Sequence, residues 1–201
     1  PPIPLLGTCG ATAAGVAIGA AALWFLGWRP ARSAENRVVR SIISLDMPLE
    51  LSSDRVFALN PSGMEIVFVA HGSGDDHYGL YRRRLDEEQA SPISGTEDAL
   101  GPFFSPDGEW IAFVQNGRLK KVPAGGGAPV DLGEAAGAQG GTFGPDGSIV
   151  FNPQHGEGLV RLAAGSTERT TVTTVDRARG EAGHHWPHML PHGKHLLFTT
   201  E

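Results

Sequence analysis

Apolar and polar positions fall into one recurring unit along most of the chain: an apolar run, a corner built on proline, and a second apolar run. In the clearest copy Phe103 and Phe104 end one run, Ser105-Pro106-Asp107-Gly108 makes the corner, and Ile111 to Val114 form the next. This pattern predicts a β-hairpin, because short apolar runs bounded by Pro, Asp and Gly read as strands joined by a tight turn. Proline presets φ near −65°, the Asp carboxylate accepts backbone N–H groups, and Gly supplies the positive φ that closes the corner. The unit returns at Leu59-Asn60-Pro61-Ser62-Gly63, at Phe143-Gly144-Pro145-Asp146-Gly147 and at Leu190-Pro191-His192-Gly193, each followed by an apolar run.

The corner prolines are 45, 39 and 46 residues apart, a period that suits four-stranded propeller blades of roughly 40 to 45 residues. A second landmark keeps the same register. After each of the first three hairpins comes a further short strand, at Leu80 to Arg82, Leu119 to Val122 and Leu159 to Leu162, and then a turn. The expected fold is therefore all-β: a partial β-propeller of four-stranded antiparallel blades over residues 38–201, about three blades and the start of a fourth. A closed propeller typically has four to eight blades, so the chain reads as a fragment. The strand candidate Val38 to Leu45 stands before the first full repeat, where a strand can complete the last blade of a ring.

The first 28 residues follow a different rule. Pro1 to Trp28 contains no charged side chain, and Leu5 to Trp28 is dominated by Ala, Gly, Leu, Val and Ile. Roughly 20 helical residues at about 1.5 Å each cross a hydrocarbon core of about 30 Å, so 1–28 is expected to be one transmembrane α-helix that meets the membrane through residues 5–28. Trp24 and Trp28 suit the interface, and residues 29–37 form a polar linker. The competing readings are a truncated signal peptide or a buried Ala-rich helix. Gly15 and Gly19 form a small-xxx-small pair that would let two such helices dimerise. Arg29, Arg32, Arg37 and Arg40 bear on orientation, but the rule compares both flanks of a span.

Composition narrows the function. The 201 residues carry 22 acidic and 16 basic side chains, a net charge of −6, with no basic block in the repeats, so a nucleic-acid surface is not expected. Cys9 is the single cysteine, which excludes an intrachain disulfide and cysteine-rich zinc sites. The Gly125-Gly126-Gly127 run lacks a following helix to aim at phosphate and reads as a turn. No Gly-x-Ser-x-Gly elbow, His-Arg-Asp loop or Asp-Phe-Gly motif occurs, so no catalytic residue is assigned and this stretch is read as non-enzymatic.

Three groups resemble sites in composition but read as structural. His184, His185, His188, His192 and His195 include ring nitrogens suited to zinc, yet strand alternation separates them and they read as packing or solvated histidines. Asp75-Asp76 with His77 lacks the alternating carboxylates of a calcium loop. Trp110 and Trp186 read as core aromatics between blades. No metal, cofactor or catalytic residue is expected, and partners, whether protein or small molecule, are expected at the propeller loops.

The repeats resemble TolB-like, WD-repeat-like propellers, and Phe104-Ser105-Pro106-Asp107-Gly108-Glu109-Trp110-Ile111-Ala112-Phe113 carries the likeness. More narrowly, the chain resembles the C-terminal half of bacterial membrane-anchored serine/threonine protein kinases. Ser41 to Pro48, Gly101 to Gly108, Gly117 to Pro123 and Gly180 to Pro191 carry that match. The resemblance implies a single-pass protein of the inner membrane whose propeller is extracytoplasmic or periplasmic, acting as a sensory or protein-interaction module outside a kinase. It also admits a TolB-like envelope scaffold, or the propeller of a propeller-plus-hydrolase peptidase. Ser62 and His192 replace the usual corner Asp, which makes the fourth corner the one expected to turn differently.

Overall fold

In the computed structural model, the residues described are 49, 57–72, 77–138, 140–190 and 192–201. All of them belong to one compact unit, residues 43–201. The apolar segment 5–28, the linker 29–37 and the strand candidate Val38 to Leu45 lie outside the described residues, as do Asp75 and Asp76. Among the described residues no helix is long and apolar enough to cross a membrane.

The strands form three four-stranded antiparallel sheets and a hairpin. The first sheet holds β1 (Phe57–Leu59), β2 (Glu65–His71), β3 (Tyr78–Arg84) and β4 (Ser91–Pro92) in that order. The second holds β5 (Ala99–Phe104), β6 (Trp110–Gln115), β7 (Arg118–Pro123) and β8 (Val130–Glu134). The third holds β9 (Gly141–Phe143), β10 (Ile149–Phe151), β11 (Val160–Leu162) and β12 (Arg169–Thr171), and the hairpin pairs β13 (His184–Met189) with β14 (Leu196–Thr200). Strand order follows chain order in every sheet, the up-and-down meander of a propeller blade. First strands of successive sheets pack beside one another, which puts β1, β5, β9 and β13 innermost.

Every corner closes by the same bond. The N–H of Gly63, Gly108, Gly147 and Gly193 donates to the carbonyl three residues back, at 2.7, 2.9, 3.0 and 3.0 Å. Asp107 accepts from the Glu109 N–H at 3.0 Å and Asp146 from the Ser148 N–H at 3.2 Å, while Asn60 does the same work for Ser62 at 2.9 Å. In the fourth corner no carboxylate is available; His192 instead adopts φ 77° next to Gly193 at φ 67°, so this corner does turn differently.

The sheets stack face to face because each strand alternates between two neighbours. Val67 and Val69 of β2 join Ile111 and Phe113 of β6 in one buried cluster between the first two blades. Ala112 points the other way and joins Phe143, Ile149 and Phe151 between the second and third. Gly141 is required for that second contact. A Cβ there would lie 2.6 Å from Cζ of Phe103.

The corners gather at one end of the arc. Asn60 Nδ2 donates to the Gly108 carbonyl at 3.4 Å, and Pro145 lies against Gly193. The β4–β5, β6–β7, β10–β11 and β12–β13 connections gather at the other, as Gln115 binding the Gly95 and Glu97 carbonyls and Arg177 binding the Gly156 carbonyl show.

Candidate functional site

The loop end carries the polar chemistry that the blades do not need for stacking. Its densest part lies where the β10–β11 and β12–β13 loops meet the start of β13, and it contains two of the five histidines singled out in the sequence. His184 is 3% exposed and His185 1%. Adjacent residues of a strand turn to opposite faces, and here both faces are covered: the His184 ring meets Thr173 and Glu181, the His185 ring Asn152. A register shift follows, between His185 and His188, with Trp186 at φ 48°.

His184 is held on both sides. Its Nδ1 lies 2.7 Å from Thr173 Oγ1 and its Nε2 3.1 Å from Glu181 Oε2. Thr173 Oγ1 already accepts the Leu159 N–H at 2.8 Å, so its own proton is free to go to Nδ1, which places the imidazole proton on Nε2, facing the carboxylate. The Asp176 N–H, and then His184, hold the Glu181 carboxyl below the usual carboxylate range.

This hydroxyl–imidazole–carboxylate series has the connectivity of an activated nucleophile. Its role is structural. In the first blade Thr96 occupies the corresponding place and accepts the Leu80 N–H at 3.1 Å, with its hydroxyl on the Ile93 carbonyl and no histidine involved. The threonine therefore ties the third strand to the loop that follows the fourth, and His184 uses the proton left over.

Asn152 fixes its neighbour. Fully buried, it donates through Nδ2 to the His184 carbonyl at 2.6 Å, so that nitrogen also faces His185 Nδ1 at 3.5 Å. The same amide also donates to the Glu157 carbonyl at 3.4 Å. His185 Nε2 lies 3.2 Å from Glu201 Oε2, close enough for an ion-pair contact but not aligned for a hydrogen bond, and it is buried without a hydrogen-bond partner, as is Asn152 Oδ1.

Metal binding does not follow from this arrangement. Both nitrogens of His184 are engaged, His185 Nε2 is buried, and His188, His192 and His195 are exposed on β13, the corner and the corner's exit. Among the described residues no three His, Cys, Asp or Glu side chains are grouped to hold an ion. His77, exposed, instead meets Asp98 at 3.2 Å.

Of the two tryptophans expected in the core, Trp110 packs against the cluster between the second and third blades, with Lys121 Nζ 4.2 Å above its ring. Trp186, in the β13–β14 hairpin, is 37% exposed, and among the described aromatic contacts its ring lies 5.8 Å from that of His185. The Thr96 and Thr173 ties were not anticipated, because they stand 16 and 14 residues after their leucines while Ala135 replaces threonine in the second blade.

No protein-family model and no curated protein matches the sequence. Among solved structures, the chain is similar to TolB from Acinetobacter baumannii at TM-score 0.59 and 18% identity, covering 76% of this chain and 37% of that one. It is similar to hydrazine synthase from Kuenenia stuttgartiensis at TM-score 0.51 and 10% identity, over 80% of this chain and 59% of that one. The β-propeller domain of the Trilobed protease from Pyrococcus furiosus matches at TM-score 0.50 and 15% identity, over 77% and 53%. The chain thus spans little more than a third of the TolB chain it matches. Sheet order, radial stacking and these neighbours agree on the fold, and the described residues are three blades and the inner hairpin of a fourth in a β-propeller.

Proposed function

We propose that this chain is a recognition module: a propeller that binds a partner at its loop end, held to the inner membrane through residues 5–28 and belonging to a receptor-like serine/threonine protein kinase. The observation that carries the reading is the division between the two ends. Each described corner repeats one hydrogen bond, whereas the opposite end varies from blade to blade, with Asn116-Gly117 in a tight turn and residues 152–159 and 172–183 in longer loops. Conformational economy does not require such variation. Loops held by a rigid scaffold are where binding residues concentrate.

Signalling through such a module is indirect. A partner that favours one arrangement of two tethered propellers over another shifts the kinase domains by that difference in affinity and by no more. The likeness to TolB supports a second reading, an envelope scaffold with no kinase attached, and sequence upstream of Pro1 discriminates the two.

Photo-crosslinking in intact cells tests recognition. A crosslinking residue at Gln154 of the loop end is expected to give a discrete adduct, and one at Asp107 of the corner end is not. Adducts from Asp107 alone would overturn the reading. A phosphatase that works only when exported, fused after Glu201, is expected to be active, and an expressed but inactive fusion would refute the proposed orientation.

A further inference from the structure

The β10–β11 loop, residues 152–159, is fastened through its main chain on three sides. Gly137, in the β8–β9 connection, lies on one of them; a Cβ there would overlap the His155 nitrogen and stand 2.7 Å from the Gln154 carbonyl carbon. Gly158 meets the segment after β12 just as closely, since its Cβ would overlap the Thr173 carbonyl oxygen and stand 2.8 Å from the carbonyl carbon. On the third side the Glu157 carbonyl accepts the His184 N–H at 3.1 Å, and the Gly156 carbonyl accepts Arg177 Nη2 at 2.6 Å. Neither Gly137 nor Gly158 has a positive φ, so both positions demand space and not torsional freedom.

The side chains of the same loop are left out of this fastening. Gln154, His155 and Glu157 are exposed, and among the described residues neither Gln154 nor Glu157 forms a side-chain hydrogen bond or ion pair. At Gln154 the loop borders the second blade, which has all four of its strands. Polar groups displayed on a main chain that is already fixed need no ordering when a partner arrives, and binding is tighter for it. We infer that Gly137 and Gly158 are positioning residues of the loop end: they hold the β10–β11 loop in the one conformation in which Gln154 and Glu157 meet a protein partner. This rests on the recognition reading above and adds to it the manner of docking, in which a folded partner meets a preformed face and the loop does not rearrange.

Two measurements on loosened variants test this. In intact cells the crosslinking residue at Gln154 reports contact with the partner. In the 201-residue chain, held in an uncharged maltoside detergent, hydrogen exchange at the Glu157 and His184 amides reports the loop, because these donate to the Gln154 and Glu157 carbonyls at 3.1 Å each. Gly137→Ala drives the loop off its support; exchange is expected to rise about tenfold and the adduct, per folded molecule, to fall about fivefold. Arg177→Met removes the donor to Gly156 without crowding anything, so it loosens the loop even if the alanine variant fails to fold, and a rise in exchange of about threefold with a weaker adduct is expected. Gly125→Ala, where a Cβ would meet nothing within 4 Å, is the control and is expected to change neither.

Adducts that persist in both loosened variants while exchange rises overturn the positioning role and leave recognition standing. Exchange at the wild-type rate in both means that these contacts do not hold the loop, and overturns the role as well. Loop amides that exchange in wild type as fast as an unfolded chain would show a loop ordered by its partner, the opposite of the inference. No adduct from Gln154 in wild type overturns the recognition reading, and this inference with it.

Discussion

Adding one carbon to Gly141 tests the stacking of the second and third blades directly. The backbone there is ordinary for an L-residue, so alanine meets no torsional penalty, and in a strand it gains roughly 0.5–1 kcal/mol over glycine through the unfolded chain. Against that, its Cβ would stand 2.6 Å from Cζ and 2.9 Å from Cε1 of Phe103. The Phe103 ring is 5% exposed and lies 5.5 Å from the Phe143 ring, so it has no free space to retreat into. Overpacking of this kind costs about 1–3 kcal/mol, and the net expectation for Gly141→Ala is a loss of roughly 1–2 kcal/mol. Urea unfolding followed by fluorescence reads this as a lower midpoint at unchanged slope. The pair with Phe103→Leu makes the argument specific: shortening the ring opens room, so the double variant should be less destabilised than the two singles together, with coupling of about 0.5–3 kcal/mol. A stabilised Gly141→Ala, or strictly additive effects, would mean that the two blades do not meet through this contact.

Other expectations follow from single groups. Asn152→Ala leaves the buried His184 carbonyl without its donor and should cost about 1–3 kcal/mol in the same assay. Thr96→Val removes the acceptor of the buried Leu80 N–H and should cost about as much, although nothing at the loop surface changes. Hydrogen bonds from the Ser105 hydroxyl and then the Glu109 N–H hold the Asp107 carboxyl below its usual range, so it contributes stability above the ordinary carboxylate pKa, lost as pH falls through the lower folded value. Urea midpoints measured below about pH 4 should therefore fall less steeply with acid in Asp107→Asn than in wild type. Zinc titration of the chain should show no stoichiometric uptake, because both nitrogens of His184 are used and His185 Nε2 is buried.

The blades were legible because their signals are local. Pro106, Asp107 and Gly108 act within one turn, and the run from Ile111 to Val114 alternates between two faces without help from distant residues. The site was legible only in its composition. His184 and His185 are both inside because residues distant in the chain cover the two faces of β13, Thr173 and Glu181 on one and Asn152 on the other, and no local pattern announces that. Thr96 and Thr173 escaped because their partners, Leu80 and Leu159, sit across a strand pair and a loop of different length in each blade. The kinase and membrane readings rest on residues outside the described ones and on resemblance.

The two ends of the arc obey different constraints, and this explains where variation is tolerated. A corner carries a load in every blade, since Asn60 reaches the Gly108 carbonyl and Pro145 lies against Gly193, so a change in one corner is felt by the next. At the loop end the ties run inward instead. Thr96 and Thr173 fasten each loop to its own blade, and Asn152 fastens β13 to the blade before it. The segments beyond those ties are then free to change in length and charge without loosening a sheet.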